Sequence, residues 1–168
     1  PEENIDWIFF RENTEGEYVL GSKGVEIPDT LAFDFKVTTN AGTERIARAA
    51  FEYARKNGKK NVAIVTKANI MKKTDGKFSE ICHEVAKDYP GIEAEDWYID
   101  IMTANLVNPR VRSKFQVILL TLLVENPVTL TNNITASYLL TNSLTGVDAN
   151  NCLPLSPAEL SNTSTSNP

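Results

Sequence analysis

The feature that most constrains this chain is a change of hydrophobic period, made twice between residues 40 and 120. "NVAIVT" (61–66) and the end of "FQVILL" (115–120) are short, continuously apolar runs. Strands of that kind are buried on both faces, which is the habit of parallel sheets covered by helices. Between them the period lengthens. Ile46, Ala49, Ala50, Phe51 and Ala54 share one helical stripe, with Arg45, Arg48, Glu52 and Arg55 outside it. Asn40 is a candidate cap, and Gly58 ends the helix. Phe78, Ile81, Cys82, Val85 and Ala86 repeat the pattern over 74–88, with Thr74 as the expected cap and "YPG" as the stop. "DWYID" reads as a further strand and "IMTANLVN" as a short helix. Strands alternating with helices specify an α/β domain.

The first forty residues read differently. "IDWIFF" is a buried strand, and "RENTEGEY" (11–18) leaves its end. "YVLGSKGVEIP" has two β-prone pieces around Gly-Ser-Lys-Gly, the pattern of a hairpin. "LAFDFKVT" alternates with period two, as a half-exposed strand does.

Composition changes sharply near residue 120. All 17 Lys and Arg residues lie at or before Lys114, and the 48 residues after Leu120 carry three charges and 22 Thr, Asn or Ser. Residues 1–120 are therefore read as one unit. Residues 121–168 are read as an unmatched, partly disordered tail in which "LTNNITASYLLTNSLTG" has the residues for a strand or hairpin. The net charge of −5 offers no basic field for nucleic acid. No apolar run approaches the roughly 18 residues of a membrane span. Two distant cysteines and an acidic start without an apolar leader fit a reduced, cytoplasmic protein.

In such folds ligands gather at the C-terminal ends of strands, so the polar residues there are the candidates for chemistry. Arg11 either grips a carboxylate bidentately or pairs with Glu12 or Glu15. Tyr18 either packs or, beside a cation, exchanges a proton. Lys67 either stays solvated or, partly desolvated, acts as a base. Asp100 is either an oxygen ligand for Mg²⁺ or Mn²⁺ or an N-cap. His83 reads as a helix-surface residue and Cys82 as core.

Each signal is modest alone. Their order is specific. "FFRENTEGEY", "FKVTTNAGTERIARAAFEYARKNGKKNVAIVTKANIMKKTDG" and "WYIDIMTANLVNP" resemble the β-decarboxylating dehydrogenases of isocitrate, 3-isopropylmalate, homoisocitrate and tartrate. The resemblance runs from about residue 4 to Leu120, and "RENTEGEY" is closest to the isocitrate enzymes. It implies the small domain and clasp of that fold, a mixed sheet with flanking helices. It also implies a homodimer with shared active sites and an interlocking arm at about 19–38. Arg11 would bind substrate carboxylates, and Tyr18 would protonate the enolate. Lys67 would come from the other subunit to help remove the hydroxyl proton. Asn69 would lie near substrate and nicotinamide, and Asp100 would ligate the metal. NAD or NADP and Mg²⁺ or Mn²⁺ are the implied cofactors, and isocitrate the implied substrate. The Asn-Leu-Tyr-Gly-Asp stretch expected after "FQVILL" is replaced by "TLLVENPVTLTNN". From that loss the chain alone is expected to be inactive, and the alternative reading is a non-catalytic dimerisation or regulatory fragment.

Overall fold

The computed structural model describes residues 6–121 and the backbone of 137–139. Five strands form one sheet in the order β5-β4-β6-β1-β7, every neighbouring pair parallel. They are β1 (Ile8–Arg11), β4 (Asn61–Thr66), β5 (Glu93–Tyr98), β6 (Val117–Leu120) and β7 (Ser137–Leu139). Among the described residues, antiparallel pairing is found in a separate hairpin of β2 (Val25–Ile27) and β3 (Leu31–Phe33) and in one isolated bridge, Gly16 to Val37. The expected mixture of strand directions is thus divided between two sheets. Among the described residues no helix is long and apolar enough to cross a membrane.

The continuous apolar runs are continuous because both faces of the sheet are covered. Val62 and Ile64 of β4, with Val117 and Leu119 of β6, pack against α1 (Asn40–Lys56) and α2 (Thr74–Ala86) through Ile46, Phe51, Phe78 and Cys82. The alternate residues Ala63, Val65, Ile118 and Leu120 face α3 (Ile99–Leu106) and pack with Met102, Leu106 and Phe115. β6 is central, and all four of its residues are buried. Phe51 stacks on Tyr89 with ring centroids 5.5 Å apart, and Trp97 meets Phe115 edge-on at 5.0 Å. Burial pushes the Cys82 thiol far up, with the Asp96 charge adding to it, so the thiol stays an inert core group. His83 lies on the half-exposed face of α2, its Nε2 2.7 Å from Asp96 Oδ2.

Two cap assignments shift. Thr39, not Asn40, caps α1: it is extended (φ −105°, ψ 156°), and its Oγ1 accepts from the Gly42 amide at 3.0 Å. Thr74 already lies inside α2, and no side chain caps that helix. The C-terminus of α1 is as expected, with Gly58 at φ +65°, a conformation that suits glycine.

The hairpin also differs from expectation. Gly21–Gly24 is not its turn. Residues 17–22 run through turns and a bend, and the hairpin closes at Pro28-Asp29-Thr30, pairing Ile27 with Leu31 and Val25 with Phe33. Pro28 presets φ for a turn, and Asp29 adopts φ +58°, which aspartate tolerates better than most side chains. "LAFDFKVT" is only half strand, and β3 is exposed on both faces rather than one. Of the expected tail, residues 122–136 and 140–168 lie outside the described residues; within "LTNNITASYLLTNSLTG" the stretch Ser137–Leu139 is the strand β7, paired with β1.

Candidate active site

The C-terminal edge of the sheet collects the residues singled out from the sequence. Arg11 is the last residue of β1, paired in register with Leu120. The ladder continues one step further as the Glu12 amide donates to Leu120 O at 3.0 Å. Arg11 therefore sits on a rigid strand rather than in a loop. "RENTEGEY" then turns through Gly16, at φ +76°, whose amide and carbonyl exchange hydrogen bonds with Val37 at 2.8 and 3.0 Å. That bridge is the stem of the arm: residues 17–36 leave and return through it.

The ordinary reading of Arg11, an ion pair with Glu12 or Glu15, is not what forms. Glu12 is buried and accepts from the Thr14 amide at 2.6 Å, from the Thr14 hydroxyl, and from Arg45 at 3.2 Å. Glu15 accepts from the Thr39 amide at 2.9 Å and the Thr39 hydroxyl at 2.6 Å, locking the loop onto the start of α1. Arg11 is left to Tyr18. Its Nη2 donates to the phenol oxygen, and its guanidinium carbon lies 5.3 Å from the ring centroid. This is the neighbouring cation that acid–base use of a phenol requires. The Arg11 Nε–H is buried and meets no acceptor among the described residues. A buried cationic donor without a partner is unusual, and an anionic ligand would satisfy it.

Lys67 follows β4 directly, and its Nζ lies 2.9 Å from Asp100 Oδ1. The Lys67 ammonium, aided by the Asp100 backbone N–H, holds the Asp100 carboxyl below its ordinary range, so it is ionised at neutral pH. Asp100 does not end a strand, as "DWYID" suggested. β5 stops at Tyr98, and Asp100 is in the first turn of α3, whose N-cap position belongs to Tyr98. Its charge suits the helix N-terminus as well as Lys67. Asn69 is exposed in the turn after Lys67.

Two pairs thus form, Arg11–Tyr18 and Lys67–Asp100. Among the described residues no hydrogen bond or ion pair joins one to the other. β6 lies between β1 and β4, which separates their backbones by about 10 Å. Asp100 is an oxygen donor of the kind Mg²⁺ or Mn²⁺ takes. Yet among the described residues no three His, Cys, Asp or Glu side chains converge, so the described chain does not compose a metal site by itself. A cavity of about 240 Å³ lined by Asp6, Trp7, Lys59 and Gln116 opens at the opposite, N-terminal edge of the sheet, away from these groups.

Sequence reasoning missed four charged residues here: Glu12, Glu15, Lys36 and Asp75. The side chains of all four are buried, and each bonds to or pairs with a partner at least 24 residues away in sequence. Gly42 was the available clue for Glu15. A Cβ there would come within 2.6 Å of the Glu15 carboxyl, which its bonds to Thr39 hold in place. Gly76 in α2 has nothing within 4 Å of the same position. The two glycines should therefore respond oppositely to alanine. Gly76→Ala should gain about 0.5–1 kcal/mol from helix propensity. Gly42→Ala should lose a net ~1–2 kcal/mol, because overpacking outweighs that gain. Urea unfolding of both variants measures the signs, and equal shifts would contradict the assigned role of Glu15.

The comparisons agree with this architecture. The family model for isocitrate/isopropylmalate dehydrogenase matches residues 1–124. A mitochondrial regulatory subunit of the NAD isocitrate dehydrogenase of Dictyostelium discoideum is 47% identical over 103 residues, 61% of this chain and 28% of that protein. The 3-isopropylmalate dehydrogenase of Archaeoglobus fulgidus is 44% identical over 104 residues, 61% of this chain and 31% of that protein. The crystal structure of isocitrate dehydrogenase from Methylococcus capsulatus superposes with a TM-score of 0.59 at 40% identity, covering 68% of this chain and 34% of that one. The chain thus spans about a third or less of the length of these relatives. With the motifs on the matching strand ends and the fold shared, the chain belongs to the isocitrate/isopropylmalate dehydrogenase family.

Proposed function

We propose that the protein carrying this chain oxidises and decarboxylates isocitrate to 2-oxoglutarate, with NAD or NADP and Mg²⁺ or Mn²⁺. The single observation that carries the reading is the buried Nε–H of Arg11, without an acceptor among the described residues and placed beside Tyr18 at the end of the sheet where Lys67 and Asp100 also stand. Arg11 grips a substrate carboxylate. Lys67 would help draw the proton from the substrate hydroxyl; a nicotinamide, when bound, would supply the hydride acceptor for that oxidation. The C–C bond to the neighbouring carboxylate then breaks, releasing CO₂ and leaving an enolate. Tyr18 returns a proton to its carbon. Asn69 would lie near substrate and nicotinamide. Asp100 offers one metal ligand, and the remaining donors come from outside the described residues.

The separation of the two pairs favours a site shared between two copies, with Arg11 and Tyr18 from one and Lys67, Asn69 and Asp100 from the other. The arm supports that arrangement. Val25, Ile27, Leu31, Phe33 and Phe35 are all exposed on it. A two-stranded ribbon is marginal alone, and a patch of this kind is normally covered. A second copy supplies the cover. Converting Ile27 and Phe33 together to aspartate should weaken self-association by at least about 10²-fold, since burial of each side chain contributes roughly 1.5–3 kcal/mol. Sedimentation equilibrium reads this directly. A wild-type chain that stays monomeric at high concentration would refute the shared site.

The test of the activity is a chimera in which residues 6–120 replace the matching segment of a whole isocitrate dehydrogenase, assayed with isocitrate and each nicotinamide cofactor. Turnover of 3-isopropylmalate, homoisocitrate or tartrate instead would move the reading within the family. A second reading, a non-catalytic dimerisation or regulatory module, is favoured by the relative named as a regulatory subunit and by the single metal donor, Asp100, found among the described residues. Assembly of the chimera without turnover of any of these acids would select it.

A further inference from the structure

The proposed reaction makes no use of the most deeply buried ion pair in the described chain. Lys36 is only 4% exposed at its side chain and Asp75 not at all, and their Nζ and Oδ1 lie 2.6 Å apart. The ammonium is close without an aligned hydrogen bond, so it acts as charge compensation rather than as a directional donor. Its other neighbour, Glu17 Oε1, is 3.5 Å away. A buried pair of this kind adds little net stability over apolar side chains of similar volume. Its geometry shows what else it does.

The second oxygen of Asp75, Oδ2, accepts the backbone N–H of Lys67 at 2.6 Å. The Lys67 carbonyl in turn accepts from the Ile70 and Met71 amides at 2.9 and 2.8 Å. The backbone of Lys67 is thereby held on both sides, and only its side chain remains to choose a partner. Lys36 precedes Val37, which closes the stem of the arm on Gly16. One carboxylate therefore ties the foot of the arm to the residue after β4. A fully buried carboxylate that lost Lys36 would face uncompensated burial, and would be drawn toward water and away from the Lys67 amide.

We propose that Asp75 is a positioning residue for Lys67 and that Lys36 holds it in place, so that seating the arm's stem sets the placement of Lys67. The assembly element and the proton-handling residue are then coupled through one buried charge pair. The importance of this coupling for turnover rests on the reading of Lys67 given above, whereas the coupling itself does not.

Amide hydrogen exchange on the full chain separates the two. Lys36→Met should speed exchange of the Lys67 amide by about 10-fold, the worth of one hydrogen bond, beyond any change in global unfolding. The amides of Ile64 and Val65 in β4 should follow global stability alone. Val85→Ala, a core change touching neither partner, is the control and should leave that difference absent. Two double variants carry the test if Lys36→Met fails to fold. Lys36→Met/Asp75→Asn removes both charges and keeps an acceptor, so Lys67 protection should return. Lys36→Met/Asp75→Ala should regain stability without regaining that protection. Equal Lys67 exchange in the two double variants, or an equal excess in Val85→Ala, would overturn the proposal. A chimera that turns over isocitrate undiminished by Lys67→Met, with the exchange pattern as expected, would remove only the catalytic role of Lys67.

Discussion

Asp75→Ala should destabilise the chain by about 3–5 kcal/mol, the usual cost of breaking a buried ion pair by removing one partner. Lys36 would be left with its ammonium enclosed and only the half-exposed Glu17 carboxylate, 3.5 Å away, to compensate it. The Lys67 amide would lose its acceptor at the same time. These losses share one carboxylate, so they do not simply add. Exposed pairs set the contrast. Arg55 and Glu52 on α1 approach to 2.6 Å, and Arg55 pulls the Glu52 carboxyl below its ordinary range. Water screens that pair, so it adds little to stability. Urea midpoints for Asp75→Ala and Glu52→Ala should therefore differ widely. Adding Lys36→Met to Asp75→Ala should recover most of the loss, since the stranded charge is then gone. If Asp75→Ala alone costs less than about 1 kcal/mol, Lys36 has found water and the pair is not an anchor.

The same contrast separates what the sequence could and could not reveal. β4 is legible to the residue, because burial on both faces writes an uninterrupted apolar run between polar loops. α1 and α2 are legible because each buries one stripe. The hairpin register was not, since Gly21–Gly24 carries a stronger local turn signal than Pro28-Asp29, and the outcome depends on which strand pieces find each other. Asp100 was placed one element early because a strand feeding straight into a helix leaves no loop to mark the join. The buried charges were the deepest failure. Nothing near Lys36 distinguishes it from a solvated lysine; its partner is 39 residues away, and only the fold brings them together. Resemblance to the family supplied roles for Arg11, Tyr18, Lys67 and Asp100. It did not supply the reason that Glu12 and Glu15, in the same eight residues, are latches of the loop rather than ligands.

Lys67→Met in the chimera should lower kcat by about 10²–10⁴-fold, the range of a lost acid–base group, with KM changed far less. The substitution keeps the length and apolar stem of the side chain and removes only the ammonium. Its structural cost should be small, because the Lys67–Asp100 pair is partly exposed and water screens it. A large fall in rate without a fall in stability would therefore point to chemistry rather than folding. Lys67→Arg sharpens the point. A guanidinium can pair with Asp100 but does not give up its proton in a protein, so the variant should restore the pair and not the rate. Arg11→Lys should behave in the opposite way, raising KM through loss of the forked carboxylate grip while Tyr18 keeps a nearby cation. If Lys67→Met stays within about 10-fold of the parent chimera, the proton passes elsewhere, and Asp100 needs Lys67 only as a counter-charge.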